Sequence, residues 1–362
     1  MADKTIHVTY GTDARAMAWQ LLEAAMPEED LQSDARILVK PNLVVARPST
    51  HGATTTPGFA QGVIEYFQSK GFHNLSITEG SWLGCETYSA FRICGYEDLA
   101  QRMGVDLVDT KSQPSTQKQA GSLSMRVCDC ALQADLIVNL PVLKGHCQTG
   151  MTCALKNMKG LIPDSEKRRF HTLGLHRPIA ALNAILPRQF ILVDALNGDL
   201  DYEEGGNPVE MNMAFACDDP VLCDAYAARW LGFALSDVPY ITMAEDLNVG
   251  STDLDAAQIT ELVHAAQHTS PARRGKVAQL ARHIADDQSC SACYGSLIHA
   301  LARLDEQGLL RNLPGKVHVG QGWRGKDIQG IGIGECTRGA SCHLKGCPSQ
   351  AGDILEFLLQ SM

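Results

Sequence analysis

Residues Ala134 to His146 read ADLIVNLPVLKGH. The run from Leu136 to Leu140 has strand length, is almost wholly apolar and is closed by Pro141. That pattern predicts a strand covered on both faces, as in parallel sheets, rather than one with an alternating wet face. Working outward, the same pattern recurs. RILVK (Arg36 to Lys40) stops at Pro41, and TTTPGFAQGVIEYFQSKG then supplies Thr56 as N-cap, Pro57 at the first helical position and Gly71 past the helix end. LSIT (Leu75 to Thr78), a helical stretch from Tyr88 to Met103, and VDLVD (Val105 to Asp109) continue the alternation. On the far side, a helix from about Arg177 to Leu186 leads into the strand QFILVDAL (Gln189 to Leu196). Strands alternating with helices predict an α/β fold: a mostly parallel, Rossmann-like sheet with helices on both faces.

The chain changes character near residue 250. Segment 255–289 reads as polar and helical, with TSPARRGKVAQLARHIADD as a Pro-started amphipathic helix that stops before Cys290. A helix from about Cys293 to Gln307, one strand-like KVHVG, a glycine-dense loop from Gly320 to Gly346 and the amphipathic SQAGDILEFLLQSM follow. The expected division is 1–250, an α/β domain with an anion-binding crevice, and 251–362, a small helical, cysteine-rich subdomain.

Composition narrows the function. Of 362 residues, 45% are hydrophobic and 20% charged, which suits a globular chain, and the net charge of -10 argues against nucleic acid or an anionic membrane as partner. MADKTIHVTYGTDARAMAW at the start has no apolar core of a signal sequence, and no run approaches the ~18 apolar residues of a membrane span. A cytoplasmic location is expected. With thirteen cysteines and no secretion signal, metal ligation, redox chemistry or plain burial outrank disulfides.

The cysteines concentrate where the chain reads CSACY (Cys290 to Tyr294) and GECTRGASCHLKGCP (Gly334 to Pro348). A C-x2-C pair places two thiolates on one turn of backbone, suiting zinc or an iron–sulfur cluster. The Cys347-Pro348 ending and the dense glycines favour a cluster, and a zinc ribbon would normally repeat C-x2-C in its second pair. Five cysteines compete for four places: Cys290, Cys293 and Cys347 are the firmest ligands, and Cys336 is preferred over Cys342 as the fourth.

The other dense stretch, LKGHCQTGMTCALKNMKGLIPDSEKRRFHTLGLHR, starts at a strand's carboxyl end, where α/β sheets bind ligands. Lys144, His146 and Lys156 are candidates to orient an anion, and His146 or His171 to deliver a proton. Reading TGMTCALKNMKG as a short helix opened near Thr149 puts Thr152 and Lys156 on one face, with Lys159 a turn on and Asn157 as a neutral donor. Lys40 and Asn42 end their own strand, and Thr54, Thr55 and Thr56 precede a helix N-terminus that could seat an anion. The acidic DALNGDLDYEEGG does not fit an EF-hand and reads as a solvated turn. No Walker loop, nucleophile elbow or zincin motif is present.

The stretches LVKPNLV, TTTPGF, NLPVLKGH, TGMTCALKNMKGLIP and FHTLGLHRPIAALN, with CSAC and GECT...GCP, resemble the family known as domain of unknown function 362. The resemblance spans nearly the whole chain. Members with the cysteine tail are described as 4Fe–4S proteins, so it implies a 4Fe–4S cofactor here; GECT and GCPS stand where the family commonly has GNCT and GCPP. The combined expectation is a 4Fe–4S redox protein, an oxidoreductase or electron-transfer protein meeting a small anionic substrate or a partner protein. The alternative is a non-redox enzyme or metabolite-binding protein whose metal site is structural. A homodimer is compatible with either.

Overall fold

The structure is a computed structural model that describes residues 4–263 and 275–362. Its contacts divide into two compact units, one of residues 1–166 and 176–273, the other of 167–175 and 274–362.

The first unit is mixed α/β. Its eight-stranded sheet runs, from edge to edge, Gln258–Glu261, Thr5–Tyr10, Pro208–Cys217, Gln189–Asp199, Leu136–Leu140, Ile37–Pro41, Leu75–Glu79 and Asp106–Asp109. Pro208–Cys217 is antiparallel to both neighbours; the other pairings are parallel. Every side chain of Ile37–Pro41 and of Leu136–Leu140 is buried, as a strand covered on both faces requires. Helices Ala14–Ala25 and Pro57–Ser69 contribute Leu21, Leu22, Phe59, Val63 and Phe67 to a core shared with Ile37, Val39, Val138 and Leu192 of the sheet.

Strand order decides where a ligand could sit. From Ile37–Pro41 the next two strands in sequence are added on one side, whereas Leu136–Leu140 returns to pair on the other. The carboxyl ends of Ile37–Pro41 and Leu136–Leu140 therefore flank a topological switch point, the place where open α/β sheets form a crevice.

Three expectations are corrected. Tyr88 to Met103 is not one helix but two, Thr87–Ile93 and Tyr96–Met103, interrupted where Gly95 turns to φ 79°. TGMTCALKNMKG does not open as a helix at Thr149: Gly150–Thr152 pairs antiparallel with Lys144–His146, and helix begins only at Ala154. Segment 255–289 is not helical throughout. Gln258–Glu261 joins the main sheet; of TSPARRGKVAQLARHIADD, residues 269–274 lie outside the described residues, and beyond Lys276–Leu280 the chain passes through a 3-10 turn to a strand, Ile284–Asp286.

The second unit holds a four-stranded parallel sheet ordered Ile284–Asp286, Val317–Val319, Ile328–Ile333, Ala340–Leu344. Two of these strands lie inside the stretch expected to be a glycine-dense loop. Buried Val317, Val319, Ile331 and Ile333 join Leu297, Leu301, Ile354 and Leu358 of helices Ser291–Glu306 and Ala351–Gln360 among the unit's apolar interior.

Candidate functional site

At the switch point, Lys40, Asn42, Lys144, Thr152, Lys156 and Asn157 are drawn into one hydrogen-bonded network, and all are buried. Asn42 Nδ2 donates to Asn157 Oδ1 at 3.0 Å, and Asn157 Nδ2 donates to Asn139 Oδ1 at 2.8 Å and to the Lys40 carbonyl at 3.2 Å. Lys144 Nζ donates to Asn42 Oδ1 at 3.2 Å, to the Glu203 carbonyl at 2.9 Å and to the Ala53 carbonyl. Lys156 still meets Thr152, through Nζ to Oγ1 at 3.2 Å, although a strand-to-helix turn rather than one helix brings them together.

The cations are matched from within. Lys40 Nζ donates to Glu79 Oε2 at 2.8 Å, and the same oxygen accepts the Leu43 amide at 2.8 Å. Lys156 pairs with Glu203 Oε1, and His146 Nε2 lies 2.9 Å from Glu203 Oε2. His146 Nδ1 accepts the amides of Gln148 and Thr149, each at 3.1 Å, which places the ring proton on Nε2, the nitrogen that faces Glu203.

Burial sets the proton affinities. It lowers the Lys144 ammonium to about 7, against the pull of Glu203, and lowers His146 to about 4. Burial alone would raise the Glu203 carboxyl, but the cationic surroundings, with Lys156 in direct contact, hold it well below the usual range. His146 is thus a neutral imidazole whose Nδ1 is held by two amides and whose Nε2 faces Glu203, and Lys144, lowered to about 7, is the network's group nearest neutrality.

The acidic stretch read as a solvated turn is a correction: Asp194, Asp199, Glu203 and Glu204 are all buried. Asp199 gathers the amides of Asp201, Tyr202 and Asn207, at 2.8 to 2.9 Å, and so shapes the turn that carries Glu203. Asp194 Oδ2 accepts the Thr56 amide at 2.7 Å, which fills with the protein's own carboxylate the helix N-terminus expected to seat an anion. The Thr54 and Thr55 hydroxyls donate to the carbonyls of Arg47 and Leu140. Glu79, Asp194 and Glu203 are the residues missed in the sequence; a count of buried lysines needing counter-charges was the available signal. Lys159 is half-buried beside this network, and buried His171 belongs to the second unit.

In the second unit, the parallel strands run the same way and their carboxyl ends make one edge. Ile284–Asp286 leads to Cys290 and Cys293, Ile328–Ile333 to Cys336, and Ala340–Leu344 to Cys347. The last two loops are tied by the Gly334 amide to the Leu344 carbonyl and the Glu335 amide to the Gly346 carbonyl, both at 2.9 Å. Cys342 lies within its strand, opposite Ile331, with its sulfur 3.8 Å from Ser361 Oγ, away from that edge. Cys290 caps helix Ser291–Glu306 and Cys293 lies in its first turn, where the helix dipole favours thiolates. Burial, then the neighbouring Cys290, Cys347 and Cys336, push the Cys293 thiol up to about 12. Gly334 turns the chain beside Cys293 at φ 88°, a left-handed conformation that favours glycine.

Cys153, Cys223 and Asp224 form a third cluster, wholly buried, with ligand atoms within 4.8 Å of one another. Asp224 accepts the amides of Ala154 and Leu155, at 2.7 and 3.2 Å, and anchors the start of the Lys156 helix.

A mostly parallel α/β sheet with a saturated polar network at its switch point, followed by a cysteine-edged unit, defines the class of protein. The chain belongs to the family described as Domain of unknown function (DUF362), whose model matches residues 37–229, just over half of it. That match contains the whole switch-point network and ends before the tail cysteines. The chain is 25% identical over 235 residues to a thylakoid-associated protein of Synechocystis sp., covering 62% of this chain and 71% of that one. Among solved structures it is similar to a protein from Thermotoga maritima (14% identity, TM-score 0.38, 65% of this chain and 60% of that one). It is also similar to the lactate racemase apoprotein of Thermoanaerobacterium thermosaccharolyticum (15% identity, TM-score 0.38, 66% and 59%). The chain thus matches about three fifths of the length of these two structures. Among the described residues, no helix is long and apolar enough to cross a membrane.

Proposed function

We propose that Cys290, Cys293, Cys336 and Cys347 hold a 4Fe–4S cluster and that the protein is an iron–sulfur redox protein acting on a small anionic substrate or a redox partner. The observation that carries the reading is the delivery of four cysteines from three of the four parallel strands to one sheet edge, with Cys342 held within its strand. Such a cluster, when bound, supplies one-electron transfer.

In this reading the switch-point residues handle the anion and the proton. Lys144 exchanges the proton, because its affinity lies near 7 and His146 is committed to Glu203. Lys40, Asn42, Lys156 and Asn157 hold the loops that would close on the substrate. The cytoplasmic setting expected from the sequence belongs to the same proposal.

One observation favours a second reading, a metabolite-binding protein or non-redox enzyme with a structural cluster: Lys40 and Lys156 are already matched by Glu79 and Glu203. Dithionite-reduced protein, mixed anaerobically with carboxylate and phosphate metabolites, separates the two. Re-oxidation that follows one class of anion and is lost in Lys144→Met supports redox catalysis. Indifference to every anion and to added electron carriers supports the structural role.

A further inference from the structure

Three strand ends of the small sheet carry cysteines to its edge; the fourth, Val317–Val319, carries none. It delivers donors instead. Arg324 Nε donates to Cys336 Sγ at 3.3 Å, and Gln321 Nε2 donates to Cys290 Sγ at 3.6 Å. The Arg324 guanidinium also lies within electrostatic reach of Cys290 and Cys347.

The turn that carries them is built rather than loose. Gly320, at φ 126°, lets the chain pass against the Asp287 carbonyl, which accepts the Gly322 amide at 2.9 Å. Trp323 Nε1 donates to the Ala285 carbonyl at 3.1 Å, and its ring meets His318 edge-on at 4.8 Å. Lys326 pairs with Asp287 at 3.1 Å. Gln321 also donates to the Arg168 carbonyl at 3.1 Å, so its amide is held on both sides.

We propose that Arg324, aided by Gln321, is the positioning residue of the cysteine edge: it orients the ligand sulfurs and raises the potential of the metal centre they hold. The inference rests on the 4Fe–4S reading. Reduction adds one electron to a thiolate-ligated centre, and the added charge appears partly on the sulfurs that Arg324 and Gln321 face. A charge-assisted hydrogen bond to a sulfur favours the reduced form and makes the potential less negative. Arg324 is exposed, so part of its effect is the directed bond rather than bulk charge.

The test is a spectroelectrochemical titration of the anaerobically reconstituted full chain, with iron content read first. Arg324→Gln is expected to retain iron and to titrate at a more negative midpoint, with Arg324→Lys between it and wild type. Arg338→Gln, which removes a cation paired with Glu335, is expected to leave the midpoint in place. An unchanged midpoint in iron-loaded Arg324→Gln, or an equal shift in Arg338→Gln, overturns the proposal while the cluster reading stands. Wild type that takes up no iron overturns both. Should Arg324→Gln fail to load, Arg324→Lys and Gln321→Leu decide: a negative shift supports the proposal and an unchanged midpoint overturns it.

Discussion

Glu203 shows how a single residue organises the first unit. Its two carboxylate oxygens serve Lys156 and His146, and its carbonyl accepts from Lys144, so one position on a turn holds three of the residues singled out by the basic loop. Glu203→Gln leaves a buried Lys156 without its counter-charge and is expected to cost about 3–5 kcal/mol in chemical denaturation. The pH dependence follows from His146. Its folded affinity, about 4, lies below the unfolded value of 6.5. Between those values the unfolded chain binds the extra proton, so this residue's contribution rises with pH across the window and is lost as pH falls through it. Asp224, raised by burial to about 7, works in the opposite direction, so the contrast to measure is wild type against His146→Gln. Wild type should lose about 3 kcal/mol more than the variant between pH 7 and pH 4. The basic residues themselves were legible in the sequence. Their counter-charges were not, because DALNGDLDYEEGG looks like any solvated acidic turn until the sheet folds it inward.

At the scale of elements, the all-apolar strands and the Pro57 helix could be read directly, since burial on both faces and fixed-φ capping leave marks within a few residues. Thr5–Tyr10 and Pro208–Cys217 left weaker marks: TIHVTY and PVEMNMAFAC mix polar and apolar positions, and their place depends on pairing with each other across the sheet. The same holds for the cysteine tail. IQGIGI and ASCHL read as glycine-rich loop because short parallel strands declare themselves only beside their partners, Val317–Val319 for the first and IQGIGI itself for the second. The preference for Cys336 over Cys342 as fourth ligand remains part of the proposal, and the place of Cys342 within a strand, opposite Ile331, is the feature that supports it. Close packing between elements gives a further test at Gly160, whose carbonyl accepts from Thr110 at 2.7 Å. A Cβ there would run into Glu79 Oε1 and come 2.6 Å from Lys40 Cε. Gly160→Ala is expected to cost more than about 2 kcal/mol by thermal or denaturant unfolding, because both neighbours are buried and paired.

At the scale of the molecule, charge is divided unevenly. Residues 167–175 and 275–362 hold twelve Lys and Arg against eight Asp and Glu, although the whole chain carries -10. A locally positive balance suits the ligation of four thiolates proposed for this unit. Because each unit has its own buried core, removal of metal is expected to act on one of them. Hydrogen exchange after chelation should quicken in the loops 287–293, 334–337 and 344–348 and stay unchanged in Leu136–Leu140; equal loss of protection in both would show that the metal stabilises the whole chain. The proposal assigns an iron–sulfur cluster to Cys290, Cys293, Cys336 and Cys347 and leaves Cys342 out. Its most direct test is iron and acid-labile sulfide measured on anaerobically purified wild type, Cys336→Ser and Cys342→Ser. About four iron and four sulfide are expected per wild-type chain, the same in Cys342→Ser, and a clear loss in Cys336→Ser. One zinc per chain without iron, or loss of iron in Cys342→Ser alone, would contradict it.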